Sequence, residues 1–403
     1  MIHYAPLNSP FFTTMNAVNS SIAPPQTPTD NGQYSTSLLV RESVTKLRPY
    51  VPGKPIEDVK RELGLDDSVV ITKLASNENV LGPSPKAVEA IGRVLDALWL
   101  YPDDNCYELK NKIAAHWKIE ANQIVVGNGS DEIIHFLGLA FLDRERGDEV
   151  IFGEPSFVQY RACALLADCN YHAVPLTHDM QHDLPAMKAK VNSKTKLIFI
   201  ANPNNPTGTT VKHYEIEELL RDLPPHVIVV LDQAYHEYVT DEHSARGLDF
   251  VREGHNVVVL HTFSKAYALA GLRVGYGIAR PEIAAYLQQV RGPFNVNTLA
   301  QVAAIASLDD ETQCSRAVEI NEEGKEQFAQ SFEAMGLHYV PSQANFVLVD
   351  VGRDAKEVEL ELMKRGVIVR TGFGLPTFVR VTIGTRDMNE RFISSLRAIL
   401  SGA

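Results

Sequence analysis

The stretch VVVLHTFSKAYALAGLRVGYGIA, residues 257–279, sets one lysine, Lys265, between two runs of apolar and small residues, with Arg273 further along. Lysine and arginine are costly to bury without a partner, so the stretch needs a chemical reason for both. Its flanks, VVVLHTF (257–263) and VGYGIA (274–279), are short continuous apolar runs and read as buried strands. The same signature recurs in QIVVG (123–127), EVIFG (149–153), KLIFIAN (196–202) and VIVVLD (227–232). Amphipathic stretches such as DEIIHFLGLAFL (131–142) and HYEIEELLRDL (213–223) fit between most of them. Apolar strands alternating with helices predict a largely parallel sheet covered on both faces, hence an α/β fold.

The chain changes character after about residue 295. A long helical stretch (298–335) leads to ANFVLVDV (344–351), a helix (354–365), VIVR (367–370), FVRVTIG (378–384) and a final helix, which predicts a smaller α+β domain. The organisation expected is a disordered tail (1–37), an N-terminal arm with part of the small domain (38–95), a large domain (96–295) and a C-terminal small domain (296–403). The tail is rich in Ser, Thr, Asn and Pro, with no Lys or Arg before Arg41. That composition fits neither a secretory signal nor a transit peptide.

Bulk properties exclude some classes. Of 403 residues, 45% are hydrophobic and 22% charged, as in ordinary globular proteins, and the net charge of −12 argues against nucleic acid as the main partner. The four cysteines are scattered without zinc-ligand spacing, which predicts reduced thiols and a cytoplasmic protein; no metal is expected. No apolar run approaches the about 18 residues of a membrane span.

Ligands of open α/β sheets sit at the carboxyl ends of strands. Here GNGSDE (127–132) follows one strand and opens a helix, NPNNPTG (202–208) follows another, Asp232 ends VIVVLD, and Ser264-Lys265 follow VVVLHTF. A helix N-terminus behind Gly and Ser suits a phosphate, and Arg273 and Ser264 can add donors. Asp232 at a buried strand end needs a cationic or N–H partner, and Lys265 can bind an aldehyde covalently. Anion site, buried carboxylate and reactive lysine together match pyridoxal phosphate. GNGSDE does not fit a dinucleotide site, because Glu132 stands where the third glycine belongs.

TFSKAYALAGLR (262–273) resembles the lysine motif of fold-type I pyridoxal-phosphate aminotransferases. With NPNNPTG, LDQAYHEY (231–238), LASNEN (74–79) and YPDD (101–104), the sequence is similar to the histidinol-phosphate aminotransferase family from about residue 40 to the end. The segment LRPYVPGKPIEDVKRELGL (47–65) resembles the branch whose members often also accept aromatic amino acids. The resemblance implies a large domain with a mostly parallel mixed sheet flanked by helices, plus a smaller α+β domain. It implies that Lys265 carries the cofactor and shuttles a proton, that Asp232 holds the pyridinium nitrogen, and that Asn205 and Tyr235 hydrogen-bond the ring oxygen. Gly129, Ser130, Asp131, Thr262, Ser264 and Arg273 would bind the phosphate, with Tyr101 reaching it from the other subunit of a homodimer. Phe157, where relatives often carry Tyr, would stack on the ring. Arg380 would bind the substrate anion, with Arg370, Tyr50 and Asn77 as further substrate contacts. His261 reads as a packed residue.

The activity implied is transamination between L-histidinol phosphate and 2-oxoglutarate in histidine biosynthesis. One guanidinium can pair with a phosphate or a carboxylate, so an aromatic-amino-acid aminotransferase, or both activities together, stays open. A threonine-phosphate decarboxylase is a more distant alternative. A pyridoxal-phosphate-binding regulator is disfavoured, since the tail is too short and too poor in Lys and Arg to be a DNA-binding domain.

Overall fold

The computed structural model describes residues 39–49, 53–64, 66 and 70–402. The N-terminal tail and Tyr50 lie outside the described residues. Residues 39–48 hold one short helix, Glu42–Thr45.

From Pro49 onward the chain is one unit. Its main sheet has seven strands: β1 (Ile124–Gly127), β2 (Glu149–Glu154), β3 (Asn170–Pro175), β4 (Thr195–Ala201), β5 (Ile228–Asp232), β6 (Val257–Thr262) and β7 (Gly275–Ile278). Their spatial order is β1-β7-β6-β5-β4-β2-β3. Every neighbouring pair is parallel except the two that include β7, which runs against both β1 and β6. The expected mostly parallel mixed sheet is therefore present.

The continuous apolar runs are explained by two cores. Val229, Leu231, Val257 and Val259 point into one, beneath helices that include Tyr107–Trp117 and Thr298–Leu308. Ile228, Val230, Val258 and Leu260 point into the other, beneath Ser130–Phe141, Gln159–Leu166 and Pro281–Gln289. With both faces buried, alternation between polar and apolar is lost. β3 escaped the sequence reading for the opposite reason: it is an edge strand, NYHAVP, with only Val174 fully buried.

A three-stranded antiparallel sheet, in the order β10-β9-β8, is made of β8 (Tyr339–Val340), β9 (Phe346–Asp350) and β10 (Phe378–Thr382). Its core includes Phe328, Phe332, Val347, Val379, Val381 and Phe392. VIVR shortens to a strand Val367–Ile368, paired in parallel with Thr72–Lys73. The helical stretch expected over 298–335 is two helices, Thr298–Leu308 and Glu311–Met335. The break falls at Asp309 and Asp310, where the Asp310 side chain accepts from the Gln313 N–H and caps the second helix. The first of the two belongs to the large sheet's core through Ala300, Ala303 and Ala304.

Candidate active site

β1, β4, β5 and β6 run in the same direction, so their carboxyl ends share one edge of the sheet. A cavity of about 270 Å³ opens there. Its walls include Asn77, Ser130, Asp131, Phe157, Asn205, Asp232, Tyr235, Thr262, Ser264, Lys265, Arg273, Arg370 and Arg380. These come from widely separated parts of the chain, and the sequence reading had named each of them.

Asp232 is the last residue of β5 and is 5% exposed. The Tyr160 hydroxyl donates to its Oδ2 at 2.8 Å, and the Ala234 N–H donates to Oδ1 at 3.2 Å. Burial raises its pKa to about 6, against the opposing effect of those two donors. Lys265 follows β6, and its Nζ donates to the Ser76 carbonyl at 3.1 Å. Burial first, then the nearby Arg380 charge, lowers its pKa to about 8. Desolvation thus moves both groups toward their neutral forms, which is common where catalytic groups are tuned.

Two loops fix the neighbours. NPNNPTG is pinned by Asn204, whose Nδ2 donates to the Pro155 carbonyl at 3.1 Å and whose Oδ1 accepts from Ser156 Oγ at 2.7 Å. This presents Asn205, whose side-chain oxygen accepts from Arg380 Nη1. Tyr235 follows β5, and its hydroxyl accepts from Asn77 Nδ2 at 2.9 Å. Asn77 is held in turn by Thr382, to which its own N–H donates at 2.9 Å.

The same cavity holds a cradle of donors. Helix Ser130–Phe141 begins immediately after Gly129, which has φ +78°. A Cβ on Gly129 would sit 2.6 Å from Arg273 Nη2, so the guanidinium occupies the space a side chain would fill. Gly275 of β7 gives the same closeness from behind, since a Cβ there would lie 2.5 Å from the Ser130 nitrogen. Thr262 Oγ1 and Ser264 Oγ are 3.0 Å apart, and Arg273 Nη1 reaches Ser264 Oγ at 3.5 Å. A helix N-terminus, two hydroxyls and a guanidinium could hold an anion, and the donor set fits a phosphate ester.

Two arginines also line the cavity. Arg380 on β10 is buried between the rings of Phe346 and Phe373, 5.2 and 5.0 Å from their centroids, and donates to the Ala75 carbonyl at 2.7 Å. Arg370 lies beside it, the two backbones exchanging hydrogen bonds of 3.1 and 2.8 Å.

Tyr101 stands apart from this cavity. It is 81% exposed and stacks on Phe294 with centroids 4.6 Å apart. His261 is buried against Trp117 at 4.9 Å, as expected of a packed residue. The sequence reading missed Tyr160, Ser76 and Glu78, which also line the cavity. Ser76 and Glu78 flank Asn77 in the LASNEN motif, so the motif itself held the signal. Tyr160 lies three residues beyond Phe157, at the start of helix Gln159–Leu166. Among the described residues, no group of three or more His, Cys, Asp or Glu could hold a metal ion, and no helix is long and apolar enough to cross a membrane.

Comparison with known proteins agrees with this geometry. A histidinol-phosphate aminotransferase of Moorella thermoacetica is 50% identical over 375 residues, 92% of this chain and 96% of that protein. A histidinol-phosphate aminotransferase structure from Erwinia carotovora atroseptica, described as putative, superposes with a TM-score of 0.78 at 27% identity, covering 82% of this chain and 96% of that one. The fold is shared with a Sinorhizobium meliloti histidinol-phosphate aminotransferase in complex with pyridoxal 5′-phosphate, at a TM-score of 0.82 and 24% identity over 90% of this chain and 98% of that one. The sequence model for class I and II aminotransferases matches residues 69–396, and with a half-identical relative spanning nearly the whole chain this protein belongs to that family.

Proposed function

We propose that the chain is a pyridoxal-phosphate-dependent transaminase that moves the amino group of L-histidinol phosphate to 2-oxoglutarate, giving imidazole-acetol phosphate and L-glutamate. The observation that carries the reading is the meeting of Lys265, Asp232 and the donor cradle in one cavity with Arg380 and Arg370. The half-identical Moorella thermoacetica relative, named for that activity, supports the choice of substrate.

The cofactor, when bound, supplies an aldehyde that takes up the amino group and a ring that draws electrons from the carbon losing its proton. The rest belongs to side chains. The backbone N–H groups at Ser130 and Asp131, with Thr262, Ser264 and Arg273, would hold the phosphate, and Phe157 would cover a ring face. Asp232 keeps the pyridine nitrogen protonated, while Asn205 and Tyr235 hydrogen-bond the ring oxygen. Lys265 is the nucleophile toward the aldehyde and the base at the substrate carbon. Its lowered pKa leaves a large neutral fraction near pH 8, which both tasks require. Arg380 and Arg370 orient the substrate anion, a phosphate in one half-reaction and a carboxylate in the other.

We also propose a homodimer in which exposed Tyr101 completes the phosphate site of a second copy, in the cytoplasm. The alternative donor class is aromatic amino acids, which the same guanidinium accommodates. Single-turnover absorbance of the pyridoxal-loaded protein separates the readings, with L-histidinol phosphate, L-phenylalanine and L-glutamate added in turn. Faster amino transfer from histidinol phosphate than from phenylalanine is expected, and the reverse order would make the chain an aromatic aminotransferase.

A further inference from the structure

We propose that Tyr160 is a positioning residue for the cofactor: its buried hydroxyl clamps the Asp232 carboxylate and keeps it ionised, ready for the pyridine nitrogen. This rests on the cofactor reading above but assigns a residue that lies outside the lysine, aspartate and asparagine motifs.

The geometry is specific. Tyr160 is 0% exposed, and its ring lies flat on Phe199, centroids 4.7 Å apart at 9°. Phe157 meets it edge-on at 5.8 Å. These two rings fix the phenol, and its oxygen ends 2.8 Å from Asp232 Oδ2. Phe157 lines the cavity, so the same ring stack that holds Tyr160 also places the residue proposed to cover the cofactor's face.

A phenol that donates to a carboxylate stabilises its charged form. Other charges near Asp232 are Lys265, which favours ionisation, and Asp131, which opposes it; Tyr235 stands on the turn that follows. Lys265 donates elsewhere, to the Ser76 carbonyl. Tyr160 is thus the side chain that hydrogen-bonds the Asp232 carboxylate, with the Ala234 N–H on the other oxygen. A pyridine nitrogen meeting a neutral carboxyl group would lose the ion pair that keeps it protonated, so cofactor affinity should depend on this clamp.

The test is titration of cofactor-free wild type and Tyr160→Phe with pyridoxal 5′-phosphate, by equilibrium dialysis at pH 6.5 and pH 8.5. Phenylalanine keeps the ring stack and removes only the donor. Loss of a hydrogen bond to a charged group should raise the Asp232 pKa by about one to two units. Affinity should then fall about three- to twentyfold at pH 6.5, and the gap should close toward equality at pH 8.5, where Asp232 is ionised in both. In an Asp232→Asn background the pH-dependent gap should vanish. Equal affinities at pH 6.5, or a gap of the same size at both pH values, would overturn the inference, the second marking Tyr160 as packing alone. If wild type itself bound no pyridoxal phosphate, the cofactor reading would fall and this inference with it.

Discussion

Replacing Asp232 by Asn should stabilise the cofactor-free protein at neutral pH while weakening its hold on the cofactor. Asp232 titrates at about 6 in the fold, against 3.8 for an ordinary aspartate carboxyl. The folded state therefore binds more protons than the unfolded chain between those values, and stability is lost as pH rises through that window. Above pH 6 the full penalty applies, about 3 kcal/mol for a shift of about two units. Asparagine carries no such penalty but has only one acceptor oxygen. With that oxygen on the Ala234 N–H, its amide faces Tyr160 and leaves the phenol proton without an acceptor, at a cost of about 1–2 kcal/mol. The net expectation at pH 7.5 is a stabilisation of about 1–2 kcal/mol. Below about pH 4 only the lost hydrogen bond remains, and the variant should be the weaker protein. Urea denaturation of cofactor-free wild type and Asp232→Asn at both pH values measures this. A variant less stable at pH 7.5, or a difference that ignores pH, would refute the assignment of Asp232 as a carboxylate held charged against its environment. Adding pyridoxal phosphate should reverse the order, because ligand binding stabilises the form that binds it.

Other outcomes follow from the same site. Lys265→Ala should abolish transamination and the covalent capture of pyridoxal phosphate, read by reduction with borohydride and mass spectrometry. In wild type, the capture rate should rise with pH and level off above about pH 8, as the Lys265 amine loses its proton; a flat profile from pH 6.5 to 9 would argue against this lysine as nucleophile. Arg380→Leu should slow both half-reactions, by about a hundredfold or more if the guanidinium meets each substrate's anion in the transition state, as 1.4 kcal/mol per tenfold implies for a lost charged pair; single-turnover rates near wild type for either donor would contradict that role. Gly275→Val should destabilise the protein by about 2–3 kcal/mol and lower cofactor affinity, since its side chain would push on the Ser130 end of the proposed phosphate cradle, 2.5 Å from an added Cβ. Denaturation midpoint and dialysis check the two effects together.

The legibility of this molecule in its sequence divides along a physical line. Strands buried on both faces are written as apolar runs, so β1, β2, β4, β5, β6 and β7 could be read directly, whereas the half-exposed edge strand β3 could not. Groups attached to the ends of those strands were equally visible, because a polar residue at the end of an apolar run is conspicuous: Asp232 and Ser264-Lys265 both announce themselves in this way. The helix break at Asp309 and Asp310 was harder to see, since a capping aspartate inside a helical pattern looks like any surface charge. Tyr160 was least visible of all. It sits in a short helix among QYRACALL, where an aromatic at a core-facing position is the ordinary signature of packing. Packing is indeed what its ring does, and its function resides in one oxygen whose partner lies far along the chain on β5. Sequence periodicity reports which face of an element is buried, and it is silent on what a buried polar atom at the tip of that face will meet. Such an atom must find a partner, so a tyrosine fully buried under a strand ending in aspartate invites that pairing once the sheet order is known. Fold and motif locate the reactive groups, and the buried polar atoms around them, placed by tertiary packing, set their charge.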